Sequence, residues 1–384
     1  MSPLGVYIHW PYCARICPYC DFNVYRSRPG RDAEEALVAA MRADLAAYRA
    51  WTGPRALVSI FFGGGTPSLM APAHVAQLIS VCCDLWTAEA GLEISLEANP
   101  TDAEAARFEG LRAAGITRLS LGLQSLSDQE LKFLGRDHSA AEGRRASALA
   151  LRLFDRCSAD LIYALPGQQI QAWSETLNEV VKTGFSHISP YQLTIEAGTA
   201  FARATQRGAW RPCEEDVCAD LYDLTQTQLS AAGFEAYEVS NHAKGASVRA
   251  RHNLLYWTGK DYVGVGPGAH GRLSRDGVRF ATQAPDRPAD YIAARLGANL
   301  APPPMTPLTP VEAAEERLLM GLRLVEGVRW AEVAALGLRP ASPVITALVD
   351  EGHLRVDAMG LRTTEAGRKL LDHLTRRLVL ASAR

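Results

Sequence analysis

The chain has 384 residues, 48% of them hydrophobic and 21% charged, which is enough apolar material for a large core and too much for a disordered chain. Forty Lys and Arg against 42 Asp and Glu leave a formal net charge of −2, so the basic excess that drives phosphate-backbone binding is lacking and nucleic acid is not an expected partner. No apolar run reaches the roughly 18 residues of a membrane span, the first strand-like segment follows Met1 closely, and eight cysteines suit a reducing compartment; the expectation is a cytoplasmic protein with metal-bound or buried thiols.

Taken in chain order, short β-rich runs at residues 6–9, 58–62, 92–97, 118–121, 160–164 and 187–193 alternate with helical patterns. Thr101 with Glu104, and Ser127 with Glu130, read as capping boxes that open helices directly after strands. This rhythm predicts a parallel sheet with functional loops at the strand ends. A further strand-like piece, Glu235–Val239, precedes "SNHAKGASVRARHNLLYW". The proline-rich stretch "APPPMTP", 301–307, reads as an interdomain connector, and Thr309, Pro310 and Glu312 form another capping box with proline at the first helical position. Beyond it, "ITALVDEGHLRV" and "GLRTTEAGRKLLDHL" read as helix, hairpin, helix, in the manner of a winged helix. From Met305 to Arg384, 11 Lys and Arg stand against 10 Asp and Glu, a net of +1, which favours a protein-contact or lid role over groove binding.

Three successive strand exits carry the chemistry. In "GVYIHWPYCARICPYCDFNVY", Cys13, Cys17 and Cys20 stand at spacings of four and three, and soft thiolates at that density can converge from one loop on a metal centre. A [4Fe–4S] cluster with one open iron fits, and so does a zinc site completed by His9 or a distant residue. "FFGGGTPSL" places Gly63, Gly64 and Gly65 where backbone can approach a ligand, although tight turns use the same residues. "SLEANPT" sets Glu97 and Asn99 at a third exit. Elsewhere, Cys82 and Cys83 read as core, Cys213 and Cys218 have too few neighbours for a second cluster, and His138, His242 and His270 carry no argument for metal binding.

The Cys-x3-Cys-x2-Cys loop, "GGGTP" and "LEANP", in this order, resemble the radical S-adenosylmethionine superfamily. More narrowly, "YIHWPYC", "GLQSL", "LGRDHS", "DLIYALPGQ", "YQLTIEAGT", "HNLLYW" and "YVGVGPGAHG" resemble its coproporphyrinogen III dehydrogenase branch and, within that branch, the HemW-type heme chaperones. The resemblance implies an α/β fold, a partial (β/α)6-type TIM barrel over 1–300 followed by a small winged-helix-like domain over 301–384. It implies a [4Fe–4S] cluster on Cys13, Cys17 and Cys20 whose open iron chelates S-adenosylmethionine, with reductive cleavage to a 5′-deoxyadenosyl radical available in principle. Gly64, Gly65 and Thr66 match the segment that holds the methionyl amino group, and Glu97 matches its acidic partner. Tyr7 and Tyr19 flank the cluster loop, and Gln124, Arg136 and Asp160 match contacts to the carboxylate and ribose. Residues His252–Trp257 resemble a heme-binding segment, which makes His252 the expected heme contact.

Two departures separate the chaperones from the dehydrogenase. Asp21 and Phe22 follow Cys20 where the dehydrogenase pattern continues Cys-x-Cys, and no N-terminal extension precedes the first strand. The leading expectation is a chaperone that binds cluster, S-adenosylmethionine and heme and delivers heme to an acceptor such as a respiratory-chain component, with a transient visit to a membrane compatible with transfer. An oxygen-independent coproporphyrinogen III dehydrogenase is the alternative.

Overall fold

The computed structural model describes residues 1–26, 30–297 and 303–382. The expected boundary between 300 and 301 lies outside them, as do Ala301 and Pro302 of the connector. All six expected strands form: β1 Pro3–Trp10, β2 Ala56–Gly64, β3 Thr87–Ala98, β4 Arg118–Gln124, β5 Arg156–Tyr163 and β6 His187–Gln192. They pair in sequence order and in parallel, the partial barrel implied by the motifs. Alternate residues of a strand point to opposite faces. Val6, Ile8, Ile60, Phe62, Leu96 and Leu121 are buried in one apolar core with Leu37, Met41, Leu78, Ala150 and Trp173 of the intervening helices. Of the residues between them, Ser95, Glu97, Ser120, Ser158 and Asp160 are polar, and Tyr7 and Phe61 are aromatic. Helices cover one face of the sheet, and the other keeps titratable groups along its concave side.

The sheet extends beyond the expected strands at both edges. Next to β6, the two-residue strands β7 Glu235–Ala236 and β8 His242–Ala243 pair antiparallel, so only the first two residues of the expected 235–239 strand are extended in this way. On the other side of β1, β9 Asp261–Val265 pairs in parallel, followed by antiparallel β10 His270–Arg275, β11 Val278–Gln283 and β12 Met305–Pro307, twelve strands in all among the described residues. The β10–β11 turn is Asp276–Gly277, with φ of 51° and 79°. Asp-Gly between two short strands is a type I′ hairpin signal present in the sequence. The end of the proline-rich connector supplies β12, an edge position at which Pro307 can do without an N–H.

The capping boxes fare differently. That of Thr309 and Glu312 is complete. At Thr101 only half forms: its hydroxyl accepts from the Glu104 N–H at 3.3 Å, while the Glu104 carboxylate turns to Ser68 and to the Asn99 N–H. Ser127 makes no side-chain cap, because Glu130 instead takes hydrogen bonds from Ser125 and Gln168. Cys82 is buried as expected, but Cys83, one position on along the same helix, is exposed.

The C-terminal residues build a winged-helix-like unit. Helices Pro310–Gly321, Pro343–Asp350 and Leu371–Ser382 surround a small antiparallel sheet of β13 Val328–Arg329, β14 Leu354–Val356 and β15 Gly360–Thr363. It has its own core around Leu318, Leu322, Ile345, Leu348 and Leu374. Arg317 donates to the Trp257 carbonyl at 2.9 Å, and Arg323 pairs with Glu238 at 3.1 Å while its guanidinium lies 4.5 Å from the Trp257 ring centroid.

Candidate functional site

A cavity of about 170 Å³ opens at the C-terminal ends of β1 to β5. Cys13, Cys17 and Cys20 line one side of it, and Glu97, Gln124, Arg136 and Asp160 line the other, so the strand exits singled out in the sequence meet in one place. Tyr19, Phe22, Gly64, Gly65 and Thr66 complete the wall. Tyr7 does not reach this cavity, and neither does His252.

The glycines are required by close approach. A Cβ on Gly65 would stand 2.6 Å from the Tyr12 carbonyl oxygen, and Gly64, with φ of +102°, would put one 2.6 Å from the His9 ring. The cluster loop and the glycine turn are therefore packed backbone to backbone, and the Gly65 and Thr66 N–H groups donate to the Trp10 and Tyr12 carbonyls at 2.7 and 2.9 Å. Gln124 adopts φ of 61°, a left-handed conformation uncommon for a side-chain-bearing residue, at the end of β4 where its side chain lines the cavity.

Arg136 ties the two sides together. Its Nη1–H points at the Cys17 sulfur at 3.3 Å, and Nη2 donates to Asn99 Oδ1 and to the Gly122 carbonyl. Among the described residues its Nε–H is buried without a hydrogen-bond partner. Such an orphaned guanidinium donor is unusual in a finished interior and suits an anionic ligand group. Burial and the neighbouring sulfurs raise the Cys13 thiol to about 11, and burial raises Cys20 as well. Thiols become thiolates when a metal centre supplies positive charge.

Glu97 and Asp160 are the acidic residues of this wall whose carboxyls burial shifts upward. Burial first, and then the Asp160 charge, raise the Glu97 carboxyl to about 8 against a hydrogen bond from the Gly64 N–H. Burial likewise raises Asp160, although Ser120 donates to it at 2.7 Å and Ser158 at 3.3 Å. From Ser158 a buried chain continues to His187 Nδ1 at 2.6 Å and from His187 Nε2 to the Tyr237 hydroxyl at 2.8 Å. That hydroxyl accepts from Asn253 at 3.3 Å, which links the cavity floor to the helix Arg251–Trp257.

A second cavity, of about 460 Å³, shares Phe22, Gly64 and Glu97 with the first. Tyr7, Phe61, Tyr256 and Tyr262 give it an aromatic lining, with His9 and His270 among its walls. His252 lies behind that lining, its ring stacked on Phe61 at 4.0 Å and Nδ1 at 3.4 Å from Glu93 Oε1. Glu93 also pairs with Arg156 at 2.7 Å and is held down at about 2, its hydrogen bond with His252 and the charges of Arg118, His252 and Arg156 outweighing burial. Burial lowers the His252 pKa, against the pull of Glu93. Sequence reasoning missed Glu93, Arg118 and Ser120, and gave His270 no role. Ser120 and Glu93 could have been found by counting along the strands in steps of two from Glu97 and its partners.

Residues 7–180 match the radical SAM superfamily and residues 308–370 the HemN C-terminal domain. The chain is 38% identical to the mitochondrial radical S-adenosyl methionine domain-containing protein 1 of Bos taurus, over 96% of this chain and 86% of that protein. The chain belongs to the radical S-adenosylmethionine superfamily. Within it, the chain is 35% identical to the heme chaperone HemW of Mycobacterium tuberculosis over 98% of this chain and 95% of the relative, and 35% identical to HemW of Escherichia coli over 97% of each. Among solved structures, the coproporphyrinogen III oxidase HemN of Escherichia coli shares the fold, with a TM-score of 0.78 at 20% identity, over 98% of this chain and 90% of that one. This member of the superfamily thus combines the partial barrel with the HemN-type C-terminal unit. Among the described residues, no helix is long and apolar enough to cross a membrane.

Proposed function

We propose that the chain is a heme chaperone that holds a [4Fe–4S] cluster and S-adenosylmethionine in the thiol-lined cavity and heme in the aromatic one, and passes heme to an acceptor protein. The observation that carries this reading is the pair of cavities with a common wall of Phe22, Gly64 and Glu97, one ringed by thiols and charged groups and the other by flat rings. The relatives named as heme chaperones support it at 35% identity over nearly the whole chain.

Cys13, Cys17 and Cys20 would hold the cluster. Among the described residues no three His, Cys, Asp or Glu side chains are close enough to hold a single ion, and thiols spread around a wall favour separate irons of a cluster over one tetrahedral zinc. Glu97 and the backbone at Gly64, Gly65 and Thr66 would receive the ligand's amino group, Arg136 its carboxylate, and Gln124 and Asp160 its ribose. When bound, these groups supply one-electron and radical chemistry. The aromatic cavity offers ring faces to a porphyrin, with Tyr256 of the segment 252–257 in its wall and His252 bracing that wall through Phe61. The division into a barrel over 1–300 and a C-terminal unit over 301–384 that serves protein contact or closure belongs to the same reading, as does a cytoplasmic location.

The test is an anaerobic titration of the cluster-reconstituted protein with hemin, with coproporphyrinogen turnover assayed on the same sample. Stoichiometric heme binding without turnover is expected. Conversion to protoporphyrinogen would overturn the chaperone reading in favour of the dehydrogenase.

A further inference from the structure

The aromatic cavity contains a histidine for which neither the heme-segment motif nor the cluster pocket accounts. Heme iron takes a neutral imidazole nitrogen with a free lone pair, so the useful histidine must face the cavity and keep a ring nitrogen unengaged. His9 fails, because Nδ1 is bonded to the Tyr7 hydroxyl at 2.8 Å and Nε2 to the Asn23 carbonyl at 2.9 Å. His252 does not line the cavity; Phe61, stacked on it at 4.0 Å with an interplanar angle of 8°, stands in the lining in front of it. His270 is exposed, lines the cavity and, among the described residues, makes no hydrogen bond through its ring.

The fold also holds His270 in place. It opens β10, with its backbone paired to Gln283. Its carbonyl passes so close to β9 that a Cβ on Gly264 would stand 2.0 Å from it. Asn23, at the end of the cluster loop, donates to the Pro267 carbonyl at 3.0 Å and to the Asp286 carbonyl at 2.8 Å, which fixes the loop before His270 against the cavity rim. A ligand on such a backbone loses little freedom when it binds. The cavity, at about 460 Å³, falls within the range of small-molecule sites, roughly 300–1,000 Å³.

We propose that His270 is the protein ligand to the iron of heme bound in the aromatic cavity, with His252 a brace behind Phe61 rather than a ligand. The proposal rests on the heme-chaperone reading and adds to it the residue that recognises the metal. It sets the iron on the far side of the Phe22–Gly64–Glu97 wall from the cluster cysteines.

The experiment titrates the full, cluster-reconstituted chain with hemin anaerobically, followed by visible absorption and resonance Raman, in wild type, His270→Ala and His252→Ala, with metal-free protoporphyrin IX as a parallel probe. His270→Ala alters an exposed strand position and should leave fold and iron–sulfur content intact. It is expected to weaken hemin binding by about tenfold or more, at least the loss typical of removing a group that merely orients a metal ligand. It should also abolish the imidazole-ligated spectrum, which added imidazole restores. Metal-free protoporphyrin should bind wild type and His270→Ala alike, and His252→Ala should keep the ligated spectrum. A wild-type hemin spectrum in His270→Ala, or equal losses for hemin and metal-free porphyrin, would overturn the ligand assignment while the chaperone reading stands. Absence of hemin binding in wild type would remove both.

Discussion

At the scale of single residues, the site is governed by what burial does to charge. Glu97 holds its proton up to about pH 8 because desolvation and Asp160 both oppose its ionisation. Its folded pKa lies above the ordinary carboxylate value, so the folded ligand-free protein binds more protons than the unfolded chain between roughly pH 4.5 and 8, and stability contributed by this group falls as pH rises through that window. An ammonium placed beside Glu97 reverses the penalty by favouring the carboxylate. Glu97→Gln is therefore expected to raise the melting temperature of the ligand-free protein at pH 8, by about 2 °C or more, with no gain near pH 4. The same variant should bind S-adenosylmethionine about tenfold to a hundredfold more weakly, the worth of a charged hydrogen bond. Scanning calorimetry at the two pH values and a binding titration check both halves.

At the scale of elements, the cluster loop and the glycine turn act as one unit. Main-chain bonds join residues 10 and 12 to 65 and 66, and the atom a Gly65 side chain would strike is a carbonyl oxygen rather than a flexible tip. Gly65→Ala is expected to push the loop outward and separate its cysteines, cutting iron incorporation by about half or more while costing about 1–3 kcal/mol of stability. Iron and sulfide analysis beside circular dichroism would show it, since the six-strand sheet is built from residues the change does not touch. The half-formed cap at Thr101 has a related cause. Glu104 serves Ser68 and Asn99 instead of its own helix end, and so braces the loops that carry the glycine turn and Asn99.

At the scale of the whole molecule, the C-terminal unit meets the barrel beside the helix Arg251–Trp257. Arg323 satisfies the fully buried Glu238 carboxylate and covers the Trp257 ring, while Glu238 accepts from Asn241, itself a partner of Ser189 on β6. Arg323→Ala leaves that carboxylate without its cation, at a cost of about 1.5–3 kcal/mol. The expected outcome is a separate, earlier thermal transition for the C-terminal unit in calorimetry. A single unchanged transition would show that the two cores do not depend on this contact.

The sequence by itself determined the six parallel strands, the cysteine loop, the glycine turn and Glu97. Each rests on a local pattern, alternation or close spacing, that survives whatever the rest of the chain does. It did not show β9, β10, β11 and β12, whose place depends on β1 having a free edge, although Asp276–Gly277 marked their hairpin. Nor could it decide which histidine faces the aromatic cavity. His252 stands in "RHNLLYW", close to aromatic residues, and His270 in "GPGAHG", among glycines, and neither context says which ring faces a cavity. Only the tertiary structure sets Phe61 and Glu93 around one and leaves the other exposed at the cavity, because contacts between strands distant in sequence, and the desolvation they bring, are properties of the assembled sheet.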